Sequence, residues 1–191
     1  MLMSRAVVVT FLAVALSHCA SSGEKKDTPT AGSEQVAYYR GNSTSTSPDG
    51  STPFGQAQET LVMRVVSPKE NRILEKVRQG GRDFDTTLLR VEGSNKFTAT
   101  DQGSTFTGTL TFEGQEWAWN AWTYDITMAD GSGKIEGKGT LGKDGIKTEK
   151  YFVAPDGNRQ VRIIEELKPI TKDEYEKAMA AATPPAAPPA Q

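Results

Sequence analysis

Eight consecutive residues carry the densest chemistry of the chain: Trp117, Ala118, Trp119, Asn120, Ala121, Trp122, Thr123 and Tyr124, a stretch that holds every tryptophan. Such rings suit an aromatic-lined pocket or a platform for sugar stacking; equally, they fill the core of a β-domain or close one of its ends. Strict alternation separates Trp117 and Trp119 from Trp122 and Tyr124, and a β-bulge near Asn120 would reunite them. Glu113, Glu116 and Asp125 are of the residue type that glycosidases use as an acid/base pair. Their spacing singles out no two with opposed environments, so no enzyme is expected. Asp130, Gly131, Ser132, Gly133, Lys134 and Ile135 mimic the middle of a calcium loop, but Met128 and Gly139 stand where its first and last carboxylates belong. A hairpin turn is the expected role, and no metal site follows.

Composition removes further chemistry. The only histidine is His18 and the only cysteine is Cys19, both close to the N-terminus. Beyond them there is no imidazole and no thiol, which excludes Ser-His-Asp and Cys-His nucleophiles and any His- or Cys-ligated metal. No cofactor is implied. Lysine and arginine total 22 against 24 acidic residues, interspersed along the chain. That balance leaves no electrostatic footprint for nucleic acid.

The N-terminus reads as an address. Arg5 precedes the apolar run Ala6 to Leu16, eleven residues or about 16 Å as a helix, whereas a bilayer core needs about twenty. Such a run suits a cleavable export signal over residues 1–18. Leu16, Ser17, His18 and Cys19 resemble the lipobox of bacterial lipoproteins, although His18 stands where that family has Gly, Ala or Ser. The resemblance implies cleavage before Cys19, lipidation of that residue with palmitate-type acyl chains, and attachment to a membrane. Ala20, in place of an aspartate, implies outer-membrane delivery within the cell envelope. A rival cut after Ala13, Val14 and Ala15 would leave Cys19 as a free thiol.

Behind the anchor candidate, residues 19–57 are rich in Ser, Thr, Gly and Pro and read as a flexible linker with a root-mean-square reach of about 35 Å, with a stray strand at Val36 to Tyr39. From Thr60 onward apolar and polar residues alternate with period two. Thr105 to Phe112 sets threonines against Phe106, Gly108, Leu110 and Phe112, and Lys134 to Leu141 repeats the device. Turn signals such as Asp130-Gly131, Asp144-Gly145 and Asp156-Gly157 separate the strands. Nine strands are predicted, near 60–67, 71–78, 84–91, 95–101, 104–112, 116–128, 134–141, 146–153 and 159–167. Thr171 and Glu174 have the spacing of a helix-capping box, with a short helix to about Ala182 whose Tyr175, Met179 and Ala182 form a stripe and whose Asp173 and Lys177 can pair. Residues 183–191, with four prolines, form a tail.

The expected fold of residues 58–182 is therefore all-β: an antiparallel up-and-down meander closing into a barrel, with a C-terminal helix. A two-sheet sandwich is the alternative. The architecture resembles calycin or lipocalin-like barrels, without the lipocalin Gly-x-Trp signature. The likeness implies a small apolar or amphipathic ligand in the barrel mouth, lined by Phe106, Phe112, Trp117, Trp119, Trp122 and Tyr124. Inward glycines Gly108, Gly137 and Gly139 point to interior volume, which neighbouring rings could fill. The other functional reading is a non-catalytic structural or protein-interaction module of the envelope with a fully packed core.

Overall fold

The computed structural model describes residues 33–181. The expected signal peptide over residues 1–18, Cys19 and the expected tail over residues 183–191 lie outside the described residues. Within them, ten antiparallel strands form one closed barrel: β1 (Gln35–Thr46), β2 (Gln58–Ser67), β3 (Arg72–Gln79), β4 (Arg82–Arg90), β5 (Lys96–Asp101), β6 (Phe106–Gln115), β7 (Ala118–Met128), β8 (Lys134–Gly142), β9 (Gly145–Val153) and β10 (Arg159–Ile170). Each strand pairs with the next in sequence, and β1 pairs with both β2 and β10. The meander of the sequence is the meander of the fold, and closure leaves no free edge.

The first strand corrects the expected boundary at residue 58. Gln35–Thr46 is no stray strand in a linker; it is the strand that closes the barrel, in register with β10 from Tyr38↔Ile170 to Thr46↔Arg162. Its small residues have a structural reason. A Cβ on Gly41 would lie 1.8 Å from the Glu166 carbonyl oxygen, so only glycine permits this approach of β1 to β10.

Period-two alternation places one face of each strand inside. Inward residues Tyr39, Val62, Ile73, Leu88, Phe97, Leu110, Phe112 and Leu167 form the main core. Outward faces carry charge, with Arg162 on Glu149 at 2.9 Å, Arg159 on Glu136 at 2.8 Å and Lys147 on Glu166 at 3.7 Å. Such exposed pairs contribute little stability. They do show an outer surface opposite in character to the apolar band of a membrane-spanning barrel.

After β10, the helix α1 (Lys172–Ala181) begins with the expected capping box: the Glu174 amide donates to Thr171 Oγ1 at 3.2 Å, and the Thr171 amide donates to Glu174 Oε2 at 2.8 Å. The helix packs on the outside of β1 and β2, burying Tyr175 and Ala178 against Leu61, with Met179, Tyr38 and Met63 at the margin. Among the described residues the i,i+4 ion pair is Lys172 with Glu176 at 3.5 Å, in place of the expected Asp173–Lys177 pair.

Candidate functional site

The two ends of the barrel differ. At one end the chain turns through residues 68–71, 91–95, 116–117 and 143–144; at the other it turns through 47–57, 80–81, 102–105, 129–133 and 154–158. Inward residues near the first end, such as Ile73, Leu88, Phe97, Phe112 and Ile146, are buried. Inward residues near the second end, such as Val77, Phe106, Phe152 and Ile163, keep partial exposure, and Phe84 is 45% exposed. Val66 and Leu141 at the first end also keep partial exposure and Ile126 at the second is buried, so the first end is the more closely packed of the two and the second the more open.

The tryptophan segment makes the closure. The β6–β7 register shifts between Glu113, opposite Ala121, and Gly114, opposite Trp119, leaving Asn120 as the extra residue of a bulge. The bulge turns Trp119 back to the inside that Trp122 and Tyr124 occupy. Phe97 stacks edge-on against Phe112 (5.0 Å), Trp119 (5.2 Å) and Trp117 (5.9 Å), and Phe112 lies 5.9 Å from Trp122. Trp117 adopts φ +60°, an uncommon conformation for a bulky residue, at the tip of the turn. Its ring is held by Trp119 at 5.0 Å and by the Arg90 guanidinium at 5.3 Å.

Of the six residues expected to line a mouth, Phe112, Trp117, Trp119 and Trp122 are therefore packed on one another toward the closed end. Phe106 and Tyr124 face the open half. The inward glycines also have packing reasons. A Cβ on Gly139 would lie 2.3 Å from the Trp122 indole, and one on Gly108 or Gly137 would strike the backbone of the next strand at 2.4 or 2.2 Å. They admit a ring and close strand contacts rather than empty volume. Glu113 and Asp125 point outward and are exposed, and Glu116 in the turn pairs with Arg90. The segment after Met128 is a hairpin turn, in which Asp130 Oδ1 accepts the Ser132 amide at 2.9 Å. Among the described residues no group of three acidic or imidazole side chains could hold a metal ion.

Above the aromatic plug lies a layer of inward charge. Arg64 on β2 donates through Nε to Glu75 Oε1 on β3 at 2.6 Å, and its Nη2 lies 2.6 Å from the same oxygen. Lys150 on β9 meets Glu165 Oε1 on β10 at 2.8 Å, while Thr148 Oγ1 donates to Glu165 Oε2 at 2.7 Å. The Arg64 guanidinium also sits 4.8 Å from the centre of the Trp122 ring. Because β2 and β7 are five strands apart either way round the barrel, Arg64 reaches across the lumen and separates the plug from the open half. Lys150 Nζ lies 5.6 Å from the Tyr124 ring. Toward the second end, these paired charges and the Tyr124 phenol are followed by the partly exposed inward side chains Val77, Phe106, Phe152 and Ile163.

Burial by itself would discharge these groups, but their partners prevent it. Burial would lower Lys150, yet Glu165 and the Tyr124 oxygen hold it above its ordinary value. Burial would raise Glu165, yet Lys150 and Thr148 hold it below the usual carboxylate range. Arg64 is likewise raised by Glu75 against its own desolvation. Tyr124 is pushed up to about 12 by burial, with Lys150 pulling the other way, so its phenol stays protonated near neutrality. Tyr39, also inward, is raised chiefly by burial.

Aromatic type led to four residues at the closed end and to Phe106 and Tyr124 in the open half, while period-two alternation carried a signal for the inward charges. Lys150 falls on the face of Ile146 and Phe152, Glu165 on that of Ile163 and Leu167, Arg64 between Val62 and Val66, and Glu75 between Ile73 and Val77. A charge in phase with an apolar face marks an inward ion. No protein-family model, curated protein sequence or solved structure matches the chain.

Proposed function

We propose that this protein is a lipid-anchored cell-envelope protein whose barrel is a one-ended cup for a small amphipathic molecule, taken up head group first. One observation carries the binding reading: the inward face is sealed by rings at one end and half-exposed at the other, with paired charges between. A barrel of ten strands is wider than the eight-stranded form that side chains just fill, which favours room in the upper half. Exposed Phe54 and Phe84 at the open end suit entry of an apolar tail. The Leu16 to Cys19 segment supports the anchor, and Ala20 supports delivery to the outer membrane.

Tryptophan and tyrosine emission, titrated with monoacyl amphiphiles of graded chain length, tests the cup. Saturable one-to-one binding is expected, because Trp122 and Tyr124 border the floor. Silence in emission and calorimetry across the series refutes the reading. It would favour the second one, a non-catalytic envelope module with a packed core, for which the close fit of Trp122 on Gly139 speaks. The anchor has its own test: intact mass of the membrane-extracted protein, with a diacylglyceryl increment on a chain beginning at Cys19 expected. An unlipidated chain beginning at Leu16 overturns it.

A further inference from the structure

We infer that the head group held on this floor is uncharged and rich in hydrogen-bond acceptors, a ketone, ester or amide in preference to a free carboxylate, phosphate or amine. The inference rests on the cup reading and concerns what the floor still has to offer once its internal bonds are made.

Charge on the floor cancels, with Arg64 against Glu75 and Lys150 against Glu165. An incoming anion would bring a fifth charge into a neutral, poorly solvated layer and face two carboxylates, with no unpaired cation to meet it. Hydrogen-bonding capacity does not cancel. Both Glu165 oxygens are engaged, one by Lys150 and one by Thr148, while Arg64 approaches a single Glu75 oxygen with two of its nitrogens and leaves Glu75 Oε2 as the one carboxylate oxygen of the floor without a hydrogen bond among the described residues. Donors are in surplus. The Lys150 ammonium has three N–H groups and one anionic partner. The hydroxyls of Tyr39 and Tyr124 make no hydrogen bond within the described residues. The indole N–H of Trp122, a residue only 2% exposed, is buried without a hydrogen-bond partner against Gly139, on the plug side of Arg64, and is closed to a ligand. Unspent donors in a charge-balanced site are answered by a neutral acceptor, whereas an amine would add donors to the surplus.

The test is a calorimetric comparison of ligands of one chain length: a methyl ketone, a primary amide, a carboxylate and an amine. With the wild-type protein the ketone and amide are expected to bind about tenfold tighter than the carboxylate or amine. E75Q removes one anion and leaves Arg64, which cannot discharge, so the floor gains a net positive charge and the order should invert in favour of the carboxylate. The double variant K150M/E165L removes one ion pair without changing net charge but takes the spare Lys150 donors with it, so the lead of the ketone over the carboxylate should shrink without inverting. Failure of every ligand to bind the wild type refutes the cup. Tightest binding of the carboxylate or amine by the wild type refutes only the neutral head group, whether or not E75Q folds. An unchanged order in folded E75Q refutes it as well.

Discussion

Replacing Lys150 with methionine removes a buried cation and keeps most of its volume, leaving the Glu165 carboxylate with the Thr148 hydroxyl but no counter-charge. In the wild type, Glu165 has a folded pKa below its unfolded value, so its contribution is present above about pH 4.3 and is lost as pH falls through the folded value. Lys150 is raised, so its contribution is present below about pH 10.4 and is lost only as pH rises through the folded value. Between those limits the pair gives no slope. In K150M the folded pKa of Glu165 rises above the unfolded value, and stability must then fall as pH increases from about 4.3 to that new value. Breaking a buried pair costs about 3–5 kcal/mol. The two side chains retain 19% and 13% exposure, which places the loss near the lower figure, about 3 kcal/mol, or about 6–12 °C in Tm at neutral pH. Urea unfolding followed by tryptophan emission, from about pH 5 to pH 8, measures both terms. K150M/E165L should recover most of the loss, since the carboxylate is no longer stranded. The reasoning is refuted if K150M stays within about 1 kcal/mol of wild type at pH 7 and shows the wild-type pH profile.

Gly139→Ala places a Cβ 2.3 Å from the Trp122 indole and should cost about 1–3 kcal/mol, relieved in a Trp122→Phe background; an additive double-mutant cycle would contradict that contact. Deleting Asn120 removes the extra residue and leaves Trp119, Ala121 and Trp122 in plain alternation, with Glu113 still opposite Ala121 and Gly114 opposite Trp119, so both indoles should stay inside and near-ultraviolet dichroism and tryptophan emission should be retained in a folded variant. A red-shifted emission and loss of the dichroism in the folded variant would contradict Asn120 as the extra residue. Thr171→Ala removes the reciprocal cap of α1 and should cost about 1 kcal/mol, read as faster amide exchange in residues 172–181 with the barrel strands unaffected.

Nine of the ten strands were legible because each pairs with its sequence neighbour and carries its own alternation and turn. Thr105 to Phe112 appears as Phe106–Gln115, and Lys134 to Leu141 as Lys134–Gly142. The bulge was legible too, since only an extra residue reconciles the tryptophan spacing. The first strand was not. Past Tyr39 its inward positions are Gly41, Ser43 and Ser45, the composition of a linker, and its strand character comes from pairing with β10 some 120 residues away. Likewise alternation marks Arg64, Glu75, Lys150 and Glu165 as inward, but which cation meets which anion depends on the register of neighbouring strands. That Arg64 faces Trp122 across the lumen depends on closure of the ring, which no local pattern contains.

Topology also orients the cup relative to its proposed anchor. β1 starts at the closed end, and Cys19 lies sixteen residues before it, so the plugged end can stand no farther than about 55 Å from Cys19. Val36, Leu89 and Val91, exposed apolar side chains, lie near this same end on the outer surface. If Cys19 carries the lipid, the closed end is therefore the one tied to the bilayer, and the shorter connection, sixteen residues instead of a linker running to residue 57, strengthens that bias. A cup meant to draw lipid from its own membrane needs its mouth on the tied side. Here the open end, with Phe54 and Phe84, is the far one, a geometry suited to receiving an amphipathic molecule from the aqueous side or from a facing surface.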